Sequence, residues 1–170
     1  METVLYIVLP AAFVLATAYL LIDKMLKNDE KRRNFELRKQ NLGIVTPIRL
    51  RAYERLMLVL ERTTPDTLIL NNANGKMNCL ELQKKLLSAV REEFSHNASQ
   101  QIYVSNDLWS AIRLTQESLL QLINSCAVSC QPDEPAEILA GRIIQVYTSS
   151  GETPTEAASL LLKNEVKSLF

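Results

Sequence analysis

The first pattern along the chain is a run with no charged break. Thr3 to Ile22, TVLYIVLPAAFVLATAYLLI, holds 20 residues without a formal charge. Twenty helical residues at about 1.5 Å each match a hydrocarbon core about 30 Å thick, so the run predicts one transmembrane helix. Pro10 inside it predicts a kink, which membrane helices tolerate. Tyr6 and Tyr19 fall near the two ends, where amphipathic rings favour the interface. The rival reading is a cleaved signal peptide, because Ala16-Thr17-Ala18 loosely resembles a cleavage site. Against it, no Lys or Arg precedes the run, Glu2 does, and the basic residues follow in a stop-transfer arrangement.

From Asp23 to Asn41 the chain turns polar, with no Gly or Pro and many good helix formers. It is expected to continue the span as one rod to about Gln40, about 57 Å in all. Met25, Leu26, Phe35 and Leu37 are too sparse for a coiled-coil seam. Gly43 to Pro47 reads as the first break. Beyond it, RLRAYERLMLVLER predicts a helix apolar on nearly every side from Leu56 to Leu60, hence buried among others. Its charges Arg51, Glu54, Arg55, Glu61 and Arg62 stand three and four apart and predict ion pairs along that helix. Thr64-Pro65 ends it.

Pro65 to Gly75 reads as an extended connector, since Leu68-Ile69-Leu70 has no second strand nearby to pair with. Asn78 with Glu81 three residues on forms a capping-box pattern. Cys79, Leu82, Leu86, Val90 and Phe94 then recur at helical spacing, with Lys84, Lys85, Arg91 and Glu92 facing out. Ser105 to Asp107 caps a helix carrying Leu108, Trp109, Ile112, Leu119, Leu122, Ile123 and Cys126. Pro132-Asp133-Glu134-Pro135 starts another, with Ile138, Leu139, Ile143, Val146 and Tyr147 inward and Gly151 closing it. Thr153-Pro154-Thr155-Glu156 is a full capping box opening the last helix. The expected architecture is all-α: a transmembrane anchor over 1–22, a basic juxtamembrane helix over 23–41, and a compact cytoplasmic bundle of about five helices over 42–170.

Composition agrees with helices, because only 4 Gly and 6 Pro occur in 170 residues. Lys and Arg number 19 and so do Asp and Glu, so no global field favours nucleic acid as a partner. Trp109 and the tyrosines form no stacking platform beside a basic groove. The distribution of charge is more informative than its sum. Lys24, Lys27, Lys31, Arg32, Arg33, Arg38 and Lys39 follow the apolar run, and no Lys or Arg precedes it. The positive-inside rule then expects the N-terminus outside and the domain in the cytoplasm. Lys24, Lys27, Lys31, Arg32 and Arg33 form the membrane-proximal basic group, suited to anionic headgroups at about 1 kcal/mol each. Three cysteines, an odd number, read as reduced thiols on that side. The sequon Asn97-Ala98-Ser99 is then irrelevant.

The candidate chemistry is thin. His96 is the sole histidine, with Glu93, Asn97, Ser99, Gln100 and Tyr103 around it and Trp109 further on. A His beside an acid could move protons. The competing reading is a hydrogen-bonded joint, or a partner contact, where one helix ends and the next is aimed. The joint is preferred, because no nucleophile, base and orienting group assemble. Cys126 and Cys130 share a helix face, and only a coincidence of folding would bring Cys79 and His96 to complete a zinc set. Small buried apolar residues are the preferred role for these cysteines. Neither a metal nor a cofactor is expected, and no Walker loop, GxGxxG or HExxH occurs.

Two stretches, RLRAYERLMLVLERTTP and REEFSHNASQQIYVSNDLW, resemble an uncharacterised family of small single-span membrane proteins of Bacteroidetes-type bacteria. In this family an AYERL…LER…P helix and an EF.HN.SQQ.Y.S…W joint follow an N-terminal span. The matching positions are Ala52 to Arg62 with Pro65, and Glu93 to Trp109. The resemblance implies an anchored helical protein and brings no activity, cofactor or catalytic residue. The expected function is therefore a non-enzymatic, membrane-tethered interaction or scaffold module, an accessory subunit of an inner-membrane complex in export, secretion or respiratory assembly. The alternatives are a small enzyme or ligand-binding domain centred on His96 and Tyr103, and self-association through the rod.

Overall fold

The computed structural model describes residues 2–149, 151 and 153–169. Within the first helix it describes the side chains of Phe13, Leu15, Thr17 and those from Tyr19 on, apart from positions 34, 38, 41 and 42. The helices in chain order are α1 (Glu2–Arg62), α2 (Pro65–Asn72), α3 (Cys79–His96), a 3₁₀ turn (Ala98–Tyr103), α4 (Asn106–Val128), α5 (Ala136–Ser149) and α6 (Pro154–Lys167). The protein is all-α, as its composition predicts; among the described residues the one β-type contact is an isolated bridge between Asn78 and Pro135. The chain divides into two units, residues 1–45 and 46–170.

In the first unit the described side chains lie in solvent-accessible positions, and two ion pairs run along the helix. Lys27 meets Asp23 at 2.7 Å and Arg32 meets Glu36 at 3.1 Å. Both follow the four-residue spacing of helix neighbours. Most of the predicted span, residues 3–12 with 14, 16 and 18, lies outside the residues whose side chains are described. Among the described residues no helix is long and apolar enough to cross a membrane.

The second unit is built around a core of Tyr53, Leu56, Val59 and Leu60 from α1, Leu82, Leu86 and Val90 from α3, Leu108, Ile112 and Ile123 from α4, Leu139 and Ile143 from α5, and Leu162 from α6. Its helix starts follow local rules. Asn78 accepts from the Glu81 amide while Glu81 accepts from the Asn78 amide, closing the predicted capping box. Thr153 and Glu156 do the same for α6, and Ser105 accepts from the Leu108 amide to cap α4. Thr115 of α4 donates to the Pro154 carbonyl at 3.0 Å, fastening α4 to the start of α6.

Several expectations are corrected. Residues 43–47 are helical and not a break. Pro47 has no amide to give to the Gly43 carbonyl, so the helix runs through it with that one bond missing. Residues 65–72 form α2 and not an extended connector. Pro65 occupies its first turn, where a missing amide costs nothing. The Pro132–Pro135 stretch is a loop, and α5 starts at Ala136. Ile138 and Val146, read as inward, are exposed, while Leu139 and Ile143 are buried. Arg62 pairs with Glu93 of α3 at 3.5 Å and not along its own helix.

Candidate partner-contact site

The predicted polar cluster lies where α3 ends. Its final turn is closed by Asn97, whose amide donates to the Phe94 carbonyl at 3.3 Å and whose side chain donates to the Glu93 carbonyl at 2.9 Å. Gln100 continues the turn by donating its amide to the Asn97 carbonyl at 3.0 Å. These bonds satisfy carbonyls that a helix end leaves open. Ser99 is exposed and accepts from the Gln100 side chain at 3.3 Å. His96 is exposed at this corner, in a shallow cleft of about 310 Å³ lined by Arg55, Leu58, Arg62, Glu93 and Asn97. Glu93 faces Arg62 across it.

Tyr103 and Trp109 do not join that cleft. Tyr103 ends the 3₁₀ turn, and its carbonyl accepts from Arg49 Nε at 3.0 Å. Trp109 is half-buried against the core. Of the seven predicted contact residues, Glu93, His96 and Asn97 line the cleft, Ser99 and Gln100 build the turn beside it, Tyr103 offers its carbonyl to Arg49, and Trp109 packs on the core. Among the membrane-proximal cations, Lys24, Lys31 and Arg33 are exposed, and the exposed Lys27 and Arg32 hold the ion pairs given above.

A second polar group went unpredicted. Arg49 donates to the Tyr53 hydroxyl at 2.7 Å, and that hydroxyl donates to Glu165 Oε1 at 2.7 Å. Glu165 also accepts from the Ser105 amide at 2.9 Å and from the Ser105 hydroxyl. Arg49 lies 5.7 Å from the centre of the Tyr53 ring. Burial pushes the Tyr53 hydroxyl above its usual range, and the bond to Glu165 adds to this. Burial would also raise the Glu165 carboxyl, yet bonds from Ser105 and Tyr53, with Arg49 nearby, hold it below the usual range. Tyr53 is therefore a neutral donor to an ionised carboxylate. The network ties α1, α4 and α6 together.

Directly beside this network lies an apolar groove of about 690 Å³ between α1 and α6. Leu50, Met57, Leu58, Leu162 and Val166 line it, with Glu54, Lys163 and Lys167 at its edges. Leu58 is 50% exposed, high for a leucine set among apolar neighbours. The sequence signal for this groove was the very feature read as complete burial, the all-round apolar stretch from Leu56 to Leu60. One side of it meets the core, and Leu58 does not.

The cysteines also come together in part. Cys126 and Cys130 share a face, and the Cys130 thiol donates to the Cys126 carbonyl at 3.5 Å. Cys79 and Cys126 are buried, as expected for small apolar residues, and Cys130 is half-buried. Cys79, Cys130 and Glu134 place their ligand atoms within 4.8 Å of one another. Burial pushes both the Cys79 and Cys126 thiols up.

Comparison with known proteins adds a family and no activity. Residues 1–169 match the family described as "Family of unknown function (DUF7935)", and the chain belongs to it. No curated protein and no solved structure matches the chain.

Proposed function

We propose that this chain is a non-enzymatic, membrane-anchored interaction module. In this reading it is an accessory subunit of a bacterial inner-membrane complex, with one span over residues 3–22 and its helical domain in the cytoplasm. The uncharged run and the basic residues after it support the anchor and its direction. The described apolar members of the run, Phe13, Leu15, Leu20, Leu21 and Ile22, are each more than half exposed, as side chains facing lipid would be.

The groove between α1 and α6 carries the interaction half of the proposal. Its apolar floor with charged edges suits one face of an amphipathic helix from a partner. Burying Leu58 and its neighbours there would recover apolar surface now in water, at about 25 cal/mol per Å². A catalytic reading on His96 and Tyr103 has less support, because the two do not share a cleft and His96 lies in the open.

The test is purification from native membranes in mild detergent, comparing the natural chain with Leu58→Asp. A protein partner should accompany the natural chain at fixed stoichiometry and be lost from the variant, while the helical content of both stays equal. A chain that emerges as a lone monomer in both cases overturns the proposal.

A further inference from the structure

We propose that Cys79, Cys130 and Glu134 form a zinc site that fastens the start of α3 to the loop between α4 and α5. The three residues come from separate places. Cys79 opens α3, Cys130 follows the end of α4, and Glu134 sits in the loop before α5. Their sulfur and oxygen atoms lie within 4.8 Å of one another. Two thiolates on a tetrahedral zinc stand about 3.8 Å apart, given Zn–S bonds of about 2.3 Å. Sulfur and carboxylate oxygen stand about 3.5 Å apart on such an ion, so a contraction of at most about 1.3 Å closes the set, within reach of side-chain rotations.

The backbone already holds the frame. The Cys79 amide donates to the Glu134 carbonyl at 2.8 Å, so two of the three ligand residues are joined directly. The Leu80 amide donates to the Pro132 carbonyl at 3.2 Å, and the Ala136 amide to the Met77 carbonyl at 3.1 Å. Asn78 and Pro135 pair as an isolated bridge between these contacts. Glu134 Oε2 accepts from the Gln131 amide at 2.9 Å, which orients the carboxylate as metal-bound carboxylates are commonly oriented. Preorganisation of this kind lowers the cost of binding.

The thiols are poorly occupied otherwise. Cys79 donates to the Pro135 carbonyl at 3.3 Å and Cys130 to the Cys126 carbonyl at 3.5 Å, both weak sulfur bonds. Burial pushes the Cys79 thiol up, and the neighbouring Cys130 and Glu134 push it further. A divalent cation reverses that repulsion, because two thiolates and a carboxylate stabilise it together. The ligand set of two sulfurs and one oxygen favours zinc over calcium or magnesium. Cys130 and Glu134 are half-buried, so a water can take the fourth position. Binding is balanced: two thiols lose two protons to solvent and two Zn–S bonds form. Affinity then rises by about a hundredfold per pH unit below the thiol pKa values.

Cobalt(II) serves as the probe, added to the full-length reduced chain in detergent after chelator treatment. A sulfur-to-cobalt charge-transfer band should saturate at one equivalent, release two protons per ion in weak buffer, and vanish when zinc is added. Cys79→Ser and Cys130→Ser should each lose at least tenfold in affinity, Glu134→Gln less, and Cys126→Ala should keep the band. Circular dichroism reports the fold of each variant; if Cys79→Ser unfolds, Cys130→Ser and Glu134→Gln decide the matter. An absent band in the reduced chain, or a band unchanged in Cys130→Ser, would each overturn the site.

Discussion

Replacing Tyr53 by Phe tests the energetics of the domain at one atom. The ring remains, so the packing of a side chain only 2% exposed is kept. What disappears is a hydroxyl that accepts from the Arg49 guanidinium and donates to the Glu165 carboxylate, both at 2.7 Å. Hydrogen bonds to charged partners contribute about 1.5–3 kcal/mol each in buried settings, but these two share one oxygen and Glu165 keeps its Ser105 bonds. The expected loss is about 2 kcal/mol, or about 6–10 °C in Tm for a unit of this size. Reversible urea unfolding of the full chain in detergent, followed by circular dichroism, measures it. A double-mutant cycle with Glu165→Gln should give a coupling of at least about 1 kcal/mol. The sign with pH is fixed by Glu165, whose folded carboxyl lies below the ordinary value of 4.5. Its contribution is fully present above the unfolded pKa and is lost as pH falls through the depressed folded one. The advantage of the natural chain over the variant should therefore hold down to about pH 5 and shrink below it. Additive single effects, or a loss under about 0.5 kcal/mol, would refute the network as a stabilising unit.

Two further outcomes follow from the core and the caps. Leu82→Ala, at a position with no exposure, should cost about 3–5 kcal/mol by urea unfolding, because the site lies among α3, α4 and α5 side chains that cannot collapse freely. Thr153→Ala removes the hydroxyl that accepts from the Glu156 amide at 3.2 Å and should cost about 1 kcal/mol. Amide exchange should quicken over the first turn of α6 while the centre of α3 keeps its protection.

Local signals were the legible ones. The Asn78/Glu81 and Thr153/Glu156 boxes, the Ser105 cap, and the buried stripe of α3 all follow from neighbours within one or two turns. Errors fell where one residue type serves two purposes. Pro65 both stops a helix and starts one, so the short apolar run after it looked extended. Pro47 looked like a break, yet α1 runs through it at the loss of one backbone bond. The polar cluster around His96 was found in sequence because it is contiguous, and it lies at the end of α3. The Arg49–Tyr53–Glu165 network was invisible, because nothing in helical periodicity links residues more than a hundred positions apart. The same holds for Cys79 with Cys130 and Glu134: the loop that brings them together is specified by backbone bonds and not by a spacing rule.

The distance in sequence between Tyr53 and its acceptor has a temporal meaning. The two are 112 residues apart, and α6 is the last helix of the chain. Translation at about 5–20 residues per second puts about 5–20 s between them. Through that interval the α1 residues Leu50, Tyr53 and Met57 exist without the α6 residues Leu162 and Val166 that later lie beside them. The bond from Tyr53 to Glu165 is thus among the last to close as the helices are made, after every other helix of the unit is already present.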